Sequence, residues 1–168
     1  MNYFLDPYLV GNEKKYLQDA INSGYISSFG EYLQEFEIKI GEYTNSKFVL
    51  LTTSGTTALS LLLASYDIGE GDEVIIPNLT FGATANAVLS VGATPVLVDI
   101  DENTWNLNSN ILQDAISYKT KAIIFVSLFG SPEGTKDVLE ICRKNEILFF
   151  EDAAESFGTF LQDKHVGT

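Results

Sequence analysis

Residues 147–156 read Ile-Leu-Phe-Phe-Glu-Asp-Ala-Ala-Glu-Ser: four apolar side chains, two acids, two small residues and a third acid. An apolar run this short, closed by carboxylates, predicts a buried strand that ends at a polar rim. The same pattern recurs upstream. "DEVIIP" (72–77), "TPVLVDI" (94–100), "KAIIFVSL" (121–128) and "EILFFED" (146–152) read as strands, and "KFVLL" (47–51) as a further one. Helical spacing fills the intervals, in "TTALSLLLASY" (56–66), "ATANAVLSVG" (83–92), "SNILQDAIS" (109–117) and "GTKDVLEICRKN" (134–145). Strands alternating with helices at this interval predict an α/β fold, a largely parallel sheet with helices on both faces. The near-continuous apolar strands agree, because helices cover both sides of such a sheet. Ahead of them, 12–24 and 31–43 carry helix-period apolar residues, joined by the turn-like "YISSFG".

Composition bounds the function. A chain of 168 residues with 45% hydrophobic content suits one domain with a sizeable core. The formal net charge of −13 excludes a phosphate-backbone binder, which needs clustered Lys and Arg, so no nucleic-acid partner is expected. A single cysteine, Cys142, excludes an internal disulfide and fits a reducing compartment. Its setting in "VLEICRKNEI" is that of a buried structural thiol. The N-terminal "MNYFLDPYLVGNEKKY" lacks a basic-then-apolar leader pattern, and no window approaches 18 uninterrupted apolar residues. A cytoplasmic protein with no membrane partner is the expectation.

In doubly wound sheets, ligands bind in the crevice beyond the carboxyl ends of the strands. The segments to weigh are therefore Thr52–Thr57, Asn78–Gly82, Asp99–Asp101, Ser127–Gly130 and Glu151–Ser156. "TTSGTTALS" places hydroxyls and Gly55 at the start of an apolar helix. Exposed N–H groups and the helix dipole there make an anion site. Plain N-capping by Ser54 or a neighbouring threonine explains the same residues. A phosphate loop of the G-x-x-x-x-G-K-[ST] form is absent, and "GEGDEV" (69–74) precedes a strand rather than a helix. Without that loop, "ILFFED" has no partner as the metal-holding strand of an NTPase. Asp152 at a strand end can also simply cap the next turn.

Five segments, "TTSGTTAL", "GDEVIIPNLTFGATANAV", "GATPVLVDID", "TKAIIFVSLFG" and "FFEDAAESFGT", occur in that order. Together they resemble the pyridoxal-phosphate-dependent sugar-nucleotide aminotransferases of the DegT type. The upstream "SGYISSFGEYLQEFE" resembles the same family's substrate-side segment, so the resemblance covers essentially the whole chain. "EDAAES" is most similar to the perosamine-synthase-like branch. The resemblance implies a fold-type I transferase large domain, and it assigns roles. Asp152 pairs with the pyridine nitrogen of pyridoxal 5'-phosphate and keeps it protonated. The N–H groups of Gly55 and Thr56, with the Thr56 hydroxyl, hold the phosphate. Phe81 stacks on the ring. Glu155 approaches the phenolic oxygen, where a second carboxylate and burial would raise its pKa.

The implied reaction moves an amino group from glutamate, yielding 2-oxoglutarate, to a nucleotide-linked keto-sugar for surface-polysaccharide or lipopolysaccharide biosynthesis, in a homodimer. Dehydratase relatives that use the same cofactor typically carry histidine at the position of Glu155, which favours amino transfer here. Many relatives read Val-His-Leu-Tyr-Gly where this chain has Val126-Ser127-Leu128-Phe129-Gly130, so the choice of sugar is not transferable. The only histidine, His165 in "DKHVG", is expected in an exposed turn.

The resemblance also calls for a Schiff-base lysine in a downstream Ser-Phe-x-x-x-Lys segment, and no such segment occurs in 1–168. Residues 1–168 are accordingly expected to be the N-terminal portion of the cofactor-binding large domain. The remaining strands, the lysine segment and a small C-terminal domain would then be absent, and 1–168 alone inactive. The alternatives are a cofactor-dependent sugar dehydratase relative, and a non-catalytic truncated fragment.

Overall fold

The computed structural model describes residues 8–168; the N-terminal stretch discussed above begins in residues 1–7, which lie outside the described residues. The chain divides into two units, Met1–Leu50 and Leu51–Thr168. In the first, α1 (Glu13–Ser23) and α2 (Glu31–Thr44) are each stopped by a left-handed residue, Gly24 and Asn45. Glycine and asparagine are the residues that enter this region most cheaply. The Tyr32 hydroxyl donates to Asp19 Oδ2 at 3.2 Å, and the Tyr16 and Tyr32 rings meet edge-on with centroids 5.3 Å apart. No residue of α1 is buried and only Thr44 of α2 is. The two helices leave an apolar groove of about 520 Å³ between Tyr16, Leu17, Leu33 and Phe36.

The second unit runs α3 (Gly55–Ser65), β1 (Glu73–Pro77), α4 (Ala83–Ser90), β2 (Thr94–Val98), α5 (Ser109–Ala115), β3 (Thr120–Val126), a 3₁₀ turn (Leu128–Gly130), α6 (Thr135–Asn145) and β4 (Leu148–Asp152). A two-stranded hairpin follows, β5 (Phe160–Leu161) with β6 (Lys164–His165). The main sheet has the order β2-β1-β3-β4 and is parallel throughout.

Alternate side chains of each strand feed opposite cores. Val74, Ile76, Ala122, Ile124, Val126 and Phe150 pack with Leu59 and Leu63 of α3 and Ala87 and Val88 of α4. Ile75, Ile123 and Phe125 pack on the other face with Leu112 of α5 and with Val138 and Cys142 of α6. The strand order explains which helix covers which face. The chain moves from β1 outward to β2, then back across β1 to β3 and on to β4. Crossovers are right-handed, so reversing direction transfers the helix to the opposite face. The reversal between β1 and β3 is the switch point of the sheet, the place where folds of this kind bind ligands beyond the carboxyl rim.

Two expectations are corrected. Residues 47–51 join neither sheet, and Phe48 and Leu50 are exposed. A strand exists only where its backbone groups meet a neighbour's, and apolar content alone does not supply one. His165 is buried, not an exposed turn residue. Its Nε2 accepts the Gly158 N–H at 2.8 Å, and the rings of Phe157 and Phe160 lie 5.0 and 5.3 Å from its own. The polar look of "DKHVG" conceals a hairpin that folds the imidazole inward. Among the described residues, no helix is long and apolar enough to cross a membrane.

Candidate functional site

Because the strands are parallel, the carboxyl ends of β1, β3 and β4 share one rim. Asp152 is the last residue of β4, in register with Val126 at the end of β3. Its carbonyl accepts the Ser127 N–H at 3.1 Å, which ties the two exits together. Each carboxylate oxygen has its own donor: Oδ1 accepts the Ala154 N–H at 3.2 Å, and Oδ2 faces the Thr84 hydroxyl at 3.3 Å. Asp152 therefore does cap the turn that follows it, and it also reaches α4. Thr84 lies in the first turn of α4 and is fully buried, with its hydroxyl 3.0 Å from that of Thr80. A negative charge against the first turn of a helix is favourably placed.

Phe81 follows β1 and is exposed over 77% of its surface, so it is not a core aromatic. Its carbonyl accepts the Thr84 N–H at 3.2 Å. Phe81, Thr84 and Asp152 are thus one connected cluster. Glu155 is exposed rather than buried, and its Oε2 accepts the Phe129 N–H at 3.0 Å. The burial expected to act on Glu155 is not there.

Phe129 is held in the left-handed region at φ 50°, a costly place for an aromatic residue. The surrounding hydrogen bonds hold it there. The Gly130 carbonyl accepts from Thr159 at 3.3 Å, and Asn106, 1% exposed, accepts the Leu128 N–H at 3.3 Å through Oδ1. The Asn106 amide donates to the carbonyls of Ser131 and Glu133, both at 2.9 Å. Trp105, also left-handed at φ 61°, meets Phe129 edge-on with centroids 5.8 Å apart. Its loop is set by Asp101, whose carboxyl is held below its ordinary range by the N–H groups of Asn103 and Thr104.

At α3, Ser54 is the N-cap. Its Oγ accepts the Thr57 N–H at 3.2 Å, and its carbonyl accepts the Ala58 N–H at 3.0 Å. Capping is realised, yet it does not use the N–H groups of Gly55 and Thr56, the first two of the helix. Nothing lies within 4 Å of where a Cβ on Gly55 would sit. This first turn therefore keeps free donors and open space. Since α3 leads into β1, that turn is at the helix end remote from the link. No hydrogen bond joins Gly55 or Thr56 to Asp152 or Glu155.

Thr84, Thr80, Asn106 and Glu151 were not singled out from the sequence. Glu151 accepts the Ser127 hydroxyl at 2.5 Å and the Gly167 N–H at 2.7 Å, pinning the segment after β4. For Thr84 a signal was available, since a threonine among alanines one turn past a strand-end aromatic has no need of its hydroxyl for packing. Among the described residues, no group of three or more His, Cys, Asp or Glu could hold a metal ion.

Comparison with known proteins fits this arrangement. GDP-perosamine synthases of Escherichia coli O157:H7 and Caulobacter vibrioides are 41% and 43% identical over 162 residues, 96% of this chain. The chain spans 44% of the length of those relatives. A Streptococcus pneumoniae protein assigned as a sugar aminotransferase, in its PMP form, superposes with a TM-score of 0.93 at 30% identity, over 100% of this chain and 46% of its own. A GDP-4-keto-6-deoxymannose-3-dehydratase, crystallised with PLP and glutamate trapped together, gives a TM-score of 0.88 at 28% identity, over 99% of this chain and 45% of its own. The family match itself covers residues 7–168, from the helices ahead of the sheet to the hairpin after the acidic strand. The chain belongs to the DegT/DnrJ/EryC1/StrS aminotransferase family.

Proposed function

We propose that residues 1–168 form the N-terminal portion of the cofactor-binding large domain of an enzyme that transfers an amino group to a nucleotide-linked keto-sugar. The observation that carries this is Asp152, a strand-end carboxylate at the rim with a donor on each oxygen. The residues present suit pyridoxal phosphate. The first turn of α3 offers unused N–H donors and open space to a phosphate, Phe81 offers an exposed ring face, and Asp152 offers a carboxylate. When bound, that cofactor supplies an electron sink. Asp152 would hold the proton on its pyridine nitrogen. Gly55 and Thr56 would bind the phosphate, Phe81 would lie against the ring, and Glu155 would sit at the phenolic oxygen.

The lysine that such chemistry needs is proposed to lie beyond residue 168, in keeping with the 44% of the relatives' length that the chain spans. Glutamate as donor is supported by its presence with PLP in the related dehydratase. A homodimer is supported by the apolar side chains that α1 and α2 leave exposed, including Leu17, Ile21 and Phe36. A cytoplasmic setting is supported by the free thiol of Cys142.

Similarity to the dehydratase gives the second reading, loss of a hydroxyl in place of gain of nitrogen. Glu155 favours amination, because dehydratase relatives typically carry histidine there. The test gives the full-length enzyme pyridoxal phosphate, ¹⁵N-glutamate and a GDP-linked 4-keto-6-deoxyhexose. Mass spectrometry should find ¹⁵N on the sugar. A deoxygenated sugar without nitrogen would establish the second reading, and an unchanged sugar across GDP-, UDP- and dTDP-linked substrates would exclude both.

A further inference from the structure

We propose that Thr84 is a positioning residue for Asp152. A hydroxyl relay from Thr80 through Thr84 aims the carboxylate at the pyridine nitrogen, an inference that rests on the cofactor assignment above. Thr84 is buried completely, and its hydroxyl lies 3.3 Å from Asp152 Oδ2 across 68 positions of sequence. An ionised carboxylate only accepts hydrogen bonds, so the single Thr84 proton is the one shared with Asp152. The contact between Thr84 and Thr80, at 3.0 Å, must then be donated by Thr80. The direction of the relay follows from counting protons.

The hydroxyl has no competing duty in its own helix. Thr84 lies in the first turn of α4, the N-cap position is Gly82 without a side-chain cap, and the Thr84 N–H is taken by the Phe81 carbonyl. Burying a hydroxyl is costly unless it is bonded, and valine would fill the same volume without that cost. The bond to Asp152 repays the burial. It also fixes the carboxylate from the α4 side, while the Ala154 N–H fixes Oδ1 from the turn side at 3.2 Å. With one donor on each oxygen, rotation about the last side-chain bond is restrained from two sides.

The experiment compares Thr84→Val, Thr84→Ser and Thr80→Val in the full-length enzyme. Dissociation constants are measured for pyridoxal phosphate and for its analogue with carbon in place of the pyridine nitrogen. Loss of a charge-assisted hydrogen bond corresponds to about tenfold in affinity. Thr84→Val should weaken pyridoxal phosphate binding by about that factor and leave the analogue within about twofold, because the analogue has no nitrogen for Asp152 to meet. Thr84→Ser should restore the wild-type value, and Thr80→Val should give a smaller change of the same sign. Equal losses with both ligands would reduce Thr84 to a tie between α4 and β4, and no loss with either would remove its role altogether. If Thr84→Val does not fold, the Thr80→Val ratio between the two ligands decides in the same way. Failure of the wild-type enzyme to bind either ligand would overturn the cofactor assignment itself, a different result from any of these.

Discussion

Both oxygens of Asp152 accept from the protein, so Asp152→Asn should lose its charge and one acceptor: with the amide oxygen on the Ala154 N–H, the amide nitrogen faces Thr84, whose hydroxyl must turn to accept. Cofactor affinity should fall by at least the factor of about ten expected of Thr84→Val, while binding through the first turn of α3 and Phe81 is retained. Single-turnover amination should fall at least about 100-fold, or about 2.7 kcal/mol in barrier. Glu155→Gln should be milder, since an amide oxygen can still accept the Phe129 N–H and the amide can still donate outward. The reverse ranking would exchange the roles of the two acids. Cys142 gives a second test. Burial pushes its thiol up to about 11. The folded value lies above the unfolded one of about 8.5, so the neutral thiol's contribution to stability is complete below pH ~8.5 and is lost as pH rises through about 11. Iodoacetamide at pH 8 should label folded Cys142 about 100-fold more slowly than the unfolded chain, as mass spectrometry can follow. At this scale the acids were legible because polarity breaks sharply after an apolar run. Thr84 and Asn106 were not, because each acts on a partner 68 or 22–27 positions away and neither leaves a periodic trace.

The strands and helices of the second unit follow the alternation seen in the sequence to within a few residues at each end, because burial on both faces demands continuous apolar runs. The failures came where an element depends on its neighbour. Residues 47–51 have strand composition and no ladder. The β5–β6 hairpin has a ladder but strands of only two residues, joined through Gln162 and Asp163 at φ 51° and 62°. Both central residues at positive φ make the type of turn that suits a hairpin, but Gln-Asp is not its usual signature. Glu151 helps to fasten this hairpin, by bonds to Ser127 on one side and Gly167 on the other. Glu151→Ala should destabilise the fold by about 2 kcal/mol, the range for hydrogen bonds to a charged group. Hydrogen exchange should show protection lost over residues 157–167 while β1 and β3 stay protected. Uniform loss across the sheet would mean that Glu151 supports the core and not the hairpin.

Both hydrophobic clusters lie wholly within residues 51–168. A fragment comprising 51–168 should therefore unfold cooperatively in urea, with coincident near- and far-ultraviolet transitions. Non-coincident transitions would show that residues 1–50 are needed to complete a core. At this scale the α/β class was legible from alternation, whereas the order β2-β1-β3-β4 was not. Nothing local in β3 says which edge of β1–β2 it joins; with the hand of the crossover fixed, the edge goes with the face on which α5 packs. That order has a consequence for synthesis. β1 and β2 pair first, β3 then adds to the free edge of β1, and β4 to the free edge of β3. Among the described strands, none has to insert between two that are already paired, so the ribosome can emit these four in the sequence in which they assemble, without a ladder being broken to admit a latecomer.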